Sequence, residues 1–137
     1  MNTLDEINSI IKEKGIPDFQ IDSYSQNNPV LIGSHDFCYC HELKIEFKEV
    51  YYISLPSEFY YPLFRLATLE ETKIIKQLIA IESEAIVYCL EAETTGSIAL
   101  LPFYIVAEAV NVREEKVYYY LRENLQKNER IADWVKL

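Results

Sequence analysis

Glycine is scarce in this chain, and the three present, Gly15, Gly33 and Gly96, stand too far apart to build a phosphate-cradling loop. That excludes the P-loop and the dinucleotide-binding fingerprint in their usual forms, because both need closely spaced glycines for the backbone to approach phosphate. Neither G-x-S-x-G nor H-E-x-x-H occurs, so the strained nucleophile turn and the helical zinc site are missing as well. With 3 Gly and 5 Pro, no stretch reads as a flexible linker or as low complexity.

Long apolar runs are also lacking. The longest, Ile98 to Ala107, is about half of the roughly 20 residues that a membrane-spanning helix needs. Residues 1–15 are amphipathic and acidic, without the basic start and apolar stretch of an export leader. Three cysteines in such a chain are expected to stay reduced, which points to a cytoplasmic location.

Basic residues are missing from one long window. No Lys or Arg occurs between Lys76 and Arg113, where Glu82, Glu84, Glu91, Glu93 and Glu108 fall. The net charge of −9 comes entirely from residues 1–97, with seven basic and sixteen acidic groups; residues 98–137 carry six of each. Such a field repels phosphate backbones and anionic lipid and attracts basic surfaces.

What is present suits one globular domain over residues 1–137, half of it hydrophobic. That length buries a core without disulfides or a structural metal. Thr3 with Glu6 reads as a capping box, Leu4, Ile7, Ile10 and Ile11 recur at helical spacing, and Gly15 and Pro17 stop the helix. Thr68 with Glu71 repeats the signal for a second helix reaching about Ser83. Short strands are expected at Phe19–Tyr24 and Val30–Ile32. From Leu43 the alternation is clean: Leu43, Ile45 and Phe47 face one way, Lys44, Glu46 and Lys48 the other. Glu49 then falls on the apolar face, so a bulge or turn is expected at Lys48–Glu49 before the strand resumes at Val50. Ala85–Leu90 is apolar on both faces, as a central strand is.

Two segments are harder to read. Pro56–Pro62 looks like a proline-bounded loop. Residues 98–110 are apolar throughout, which periodicity cannot resolve, and Pro102 suits a first helical turn. Asn111 with Glu114 then caps a last helix with Val117, Leu121 and Leu125 along one stripe. The fold class expected from these elements is α+β, a mostly antiparallel sheet with helices packed on one face.

Four groups of residues are candidates for function. Phe59, Tyr60 and Tyr61 are three consecutive aromatics that cannot all point inward from a loop, and Tyr is favoured at interface centres. Glu82, Glu84, Glu91 and Glu93 form an acidic set near a turn. His35, Cys38, Cys40 and His41 are zinc-type ligands within seven residues, but a strand would send the two thiols to one face and the two imidazoles to the other. Residues 102–127 resemble a helix-turn-helix pair, with Asn111 at the turn.

The function expected is that of a non-enzymatic protein-binding module, an acidic intracellular inhibitor or immunity-type protein for a basic partner. Phe59, Tyr60, Tyr61, Glu82, Glu84, Glu91 and Glu93 would make the contact. No catalytic residue, metal or cofactor is assigned. One alternative is a DNA-binding regulator using the helix pair at about 102–127, although its second helix begins Arg113-Glu114-Glu115-Lys116 and offers phosphate no net attraction. The other is a metal- or thiol-dependent enzyme centred on Cys38, Cys40 and His41.

Overall fold

The structure, a computed structural model, describes residues 2–25, 28–80 and 84–136. Its elements run α1 (Thr3–Lys14), β1 (Asp18–Ser25), β2 (Asn28–Ser34), β3 (Cys40–Ser54), β4 (Glu58–Leu66), α2 (Leu69–Leu78), β5 (Ile86–Glu93), β6 (Leu101–Tyr118) and β7 (Glu129–Ile131). The strands line up β3-β2-β1-β4-β5-β6, and β6 pairs back onto β3. Six antiparallel strands therefore close into a barrel, with β7 added in parallel on the far end of β6. Among the described residues, no helix is long and apolar enough to cross a membrane.

This corrects the expected α+β layering. The sheet does not offer one face to helices; it closes on itself and buries that face inside. Closure removes the unpaired edges that an open sheet exposes. The element that makes it possible is β6, read from sequence as two helices. It is an 18-residue strand, and its partners explain why. Cys40–Ser54 pairs along one edge, from Cys40↔Tyr118 to Ser54↔Tyr104, and Ile86–Ala92 covers the start of the other. Phe103, Ile105, Val106, Val110, Val112 and Val117 are aromatic or β-branched and suit a pleated surface. Pro102 sits beside the strand's first residue, a position proline tolerates. Asn111 is a mid-strand residue opposite Glu46, so the helix-turn-helix pair at 102–127 does not exist.

The interior is apolar and aromatic. Phe19, Phe47 and Phe59 are fully buried, with Phe19 stacked on Phe59 at 5.7 Å between ring centroids. Gly33 is required by this packing, since a Cβ there would stand 2.5 Å from the Phe19 ring. On β3 the inward residues are Leu43, Ile45 and Phe47, then Val50. The change of parity falls at Glu49, which is exposed and takes φ 53.

The two helices have different tasks. α1 is capped by Asn2, whose side chain accepts from Asp5 N; Thr3 is thus the first helical residue and not the cap. It ends on Gly15 in the left-handed conformation, φ 63. Leu4, Ile7 and Ile10 enter the barrel core. They do so where the wall is weakest, because β1 pairs with β4 over only Asp18↔Tyr60, Phe19↔Phe59 and Gln20↔Glu58. α2 carries the capping box of Thr68 and Glu71 and lies outside the barrel. There Ile75 packs on Val87 and Val106. β5 accordingly buries both faces, Tyr88, Leu90 and Ala92 inside and Val87 beneath α2.

Candidate functional site

The aromatic segment is not a loop. Glu58–Leu66 is strand β4, and its alternation sorts the three rings. Phe59 faces inward and is 0% exposed; it belongs to the core and cannot make a partner contact. Tyr60 faces outward, half-buried, with its hydroxyl 3.3 Å from Thr95 Oγ1. Tyr61 is 62% exposed. The β4–β5 register shifts between Tyr60 and Leu63, and Tyr61 takes φ 51 at that bulge. A bulky residue at positive φ is strained, and a bulge re-aims its side chain. Tyr61 N–H leaves the ladder and donates to the Pro17 carbonyl at 2.9 Å.

Around these tyrosines the outer wall is acidic. Asp18, Tyr60 and Glu93 are register partners across β1, β4 and β5, so they form a row about 10 Å across. Glu58 lies opposite Gln20 on the same outward parity. None of their register partners is basic: Ser34 continues the row onto β2, and Gln20 lies opposite Glu58. Asp18 and Glu58 are surface acids that only the strand pairing brings to this place.

The rest of the expected acidic set divides. Glu84 and Glu93 are exposed. Glu82 lies outside the described residues. Glu91 is ion-paired, because Arg65 Nε donates to its Oε1 at 2.7 Å. The same guanidinium makes two bonds to Glu71, of 2.7 and 3.0 Å, and Tyr104 OH donates to Glu71 at 2.5 Å. Arg65 holds the Glu71 carboxyl far below the usual carboxylate range. This network clamps the start of α2 to the barrel wall. Arg65 therefore interrupts what sequence order suggested was one anionic stretch.

The Cys/His segment also departs from its reading. Residues 37–39 form a turn before β3 begins at Cys40, so strand alternation does not govern them. Cys38 and His41 line one cleft. Cys40 is buried, with Sγ 3.9 Å from Glu42 Oε1. His35 is committed elsewhere: Nδ1 contacts Glu42 at 2.6 Å and Nε2 the Lys14 carbonyl at 2.8 Å, joining the end of α1 to β3. All three thiols are pushed toward their protonated form, Cys38 by its hydrogen bond to Asp36, Cys40 by burial, and Cys89 by burial up to about 11. An activated nucleophilic cysteine needs the opposite shift. Among the described residues, no group of three or more His, Cys, Asp or Glu side chains is placed to hold a metal ion.

The cleft that Cys38 and His41 share was missed by the sequence reading. It encloses about 490 Å³ on the outer wall, between β1, the 37–38 turn and the C-terminal segment after β7. His41, 8% exposed, is hydrogen-bonded through Nδ1 to Tyr119 OH at 2.6 Å. Burial lowers its pKa, so the ring is held neutral. Tyr119 packs in turn on Trp134, 5.3 Å between centroids at 42°. Trp134 itself is 65% exposed.

Comparison with protein-family models, with curated proteins and with solved structures finds no match for the chain.

Proposed function

We propose that this protein is a non-enzymatic binding module for a basic protein partner, engaged through the outer wall at β1, β4 and β5. One observation carries the reading: the bulge in β4 turns Tyr61 into solvent at a strained φ of 51, next to a row of Asp18, Tyr60 and Glu93 with Glu58 beside it. An exposed aromatic anchor in an acidic surround suits a partner that presents Lys or Arg around an apolar depression. Backbone strain at an exposed bulky residue is retained where the surrounding structure over-determines it, and such residues cluster at functional sites. Small inhibitors of basic toxins or nucleases work in this way, and a cytoplasmic protein of that class agrees with three unpaired thiols.

The test is comparative capture from a lysate of the native host with immobilised wild-type protein, Tyr61→Ala, and a Glu58→Lys/Glu93→Lys double variant. A partner of high isoelectric point should be retained by the wild type, released by moderate salt, and lost from both variants. Equal retention by all three proteins, or a salt-insensitive partner, would sink the reading.

A further inference from the structure

We propose that the cleft between β1, the 37–38 turn and the C-terminal segment is a binding site for an alkylammonium cation. The aromatic wall beside the sheet is Tyr119, and Trp134 leans over it at 42°; Phe37, half-buried, lines the cleft from the turn. Rings presented at different angles around a space of about 490 Å³ direct their electron-rich faces at a guest. A cation there gains the ring quadrupole attraction, most of all over Trp. The volume is within the range of small-ligand sites.

Charge selects the sign of the guest. Asp22 and Asp133 line the cleft, and Asp22 has no ion-pair partner among the described residues. The cationic side chain present, Arg130, is already met. Its Nε donates to Glu115 at 2.7 Å, and its Nη1 lies 3.7 Å from Asp133. His41 does not compete, because burial keeps it neutral and Tyr119 occupies its Nδ1. What remains is an unpaired carboxylate facing aromatic rings.

A methylated ammonium fits this better than a bare one. The walls offer ring faces and one free carboxylate, not the several converging acceptors that a strongly hydrated –NH3+ must find to replace its water. The site is separate from the Tyr61 surface in its residues, so either can fail alone.

Trp134 is the single tryptophan of the chain, and its fluorescence reports on the cleft directly. Choline should give a saturable change in emission. Its uncharged carbon isostere, 3,3-dimethylbutan-1-ol, should bind at least about tenfold more weakly. Asp22→Asn should weaken choline about fivefold or more while leaving the thermal midpoint in place, since Asp22 is exposed. Tyr119→Phe keeps the ring and should keep binding within about twofold. No saturable response to choline, equal affinity for the isostere, or tighter binding of acetate or phosphate than of choline would each overturn the proposal.

Discussion

Asn8 of α1 holds Phe64 of β4 by both of its backbone groups. Its Oδ1 accepts from Phe64 N at 2.9 Å and its Nδ2 donates to Phe64 O at 2.7 Å. A side-chain amide thus stands where a neighbouring strand's backbone would be, on the stretch of β4 that β1 has already left. Asn8→Ala should leave a donor and an acceptor unpaired in a part-buried seam and cost about 1–3 kcal/mol. Asn8→Asp keeps the acceptor alone and should recover part of that loss. Urea midpoints at constant slope check both.

The clamp on α2 makes a second case. Arg65 bridges Glu71 and Glu91, and Tyr104 closes the set. Arg65→Ala strands two carboxylates and removes the join between α2 and the wall, for a loss of about 2 kcal/mol. Its pH signature follows from the depressed Glu71 carboxyl. That stability is present above the unfolded value near 4.5 and is lost as pH falls below it. Comparing denaturation midpoints at pH 7 and pH 3 should show a smaller drop in Arg65→Ala than in the wild type.

How much of this was legible depends on whether the signal is local. Caps and stripes are local, and both helices were readable: Gly15 ends α1, and Thr68 with Glu71 starts α2. Alternation in Leu43, Ile45 and Phe47 marked β3, and the misfit of Glu49 marked its change of parity, although the strand runs on and its register with β6 shifts later, between Val50 and Tyr52. β6 was not readable, because an unbroken apolar run has no period and Asn111 with Glu114 imitates a helix start. Its state is set by β3 and β5, partners distant in sequence, as the pairing of Cys40 with Tyr118 shows. Prolines misled in the same way at β4. Pro62 falls inside the bulge, between the registered pairs of Tyr60 and Leu63, where a missing N–H costs the ladder nothing. The cleft was beyond reach for another reason. Asp22, Phe37, His41, Tyr119 and Trp134 come from segments scattered along the chain, and only barrel closure brings them together.

The cleft also predicts an acid response. Burial depresses the His41 pKa, with Asp22 and Glu115 raising it and Arg130 and Lys44 lowering it around the ring. A histidine whose folded pKa lies below its unfolded value of about 6.5 leaves stability intact above that pH. Stability then falls as pH drops below 6.5, because the unfolded chain takes the proton more readily. His41→Gln should flatten the wild-type decline in urea midpoint between pH 7.5 and pH 5.5. His35, the other histidine of the chain, is present in both proteins, so the difference isolates His41. An unchanged slope would show that His41 titrates as an ordinary exposed imidazole.

Phe59, Tyr60 and Tyr61 are adjacent in sequence, and the barrel gives them three different energetic roles. Phe59 is fully buried against Phe19, so Phe59→Ala should remove about 3–5 kcal/mol of stability through the cavity it opens. Tyr60 lies half-buried on the wall, and Tyr60→Ala should cost on the order of 1 kcal/mol. Tyr61 reverses the sign. It holds φ 51 with its ring 62% exposed, a conformation that glycine adopts without steric penalty. Tyr61→Gly relieves that strain and opens no cavity, so its thermal midpoint should equal or exceed that of the wild type by up to about 1 kcal/mol of stability. The same substitution removes the proposed anchor, and loss of a central aromatic typically weakens binding by about 2 kcal/mol or more. Stability and partner affinity should therefore move in opposite directions in Tyr61→Gly, and only there. A sharp fall in midpoint would mean that the Tyr61 ring packs against the wall in solution. An unaltered affinity for the captured basic partner would leave the acidic row of Asp18, Glu58 and Glu93 to act without it.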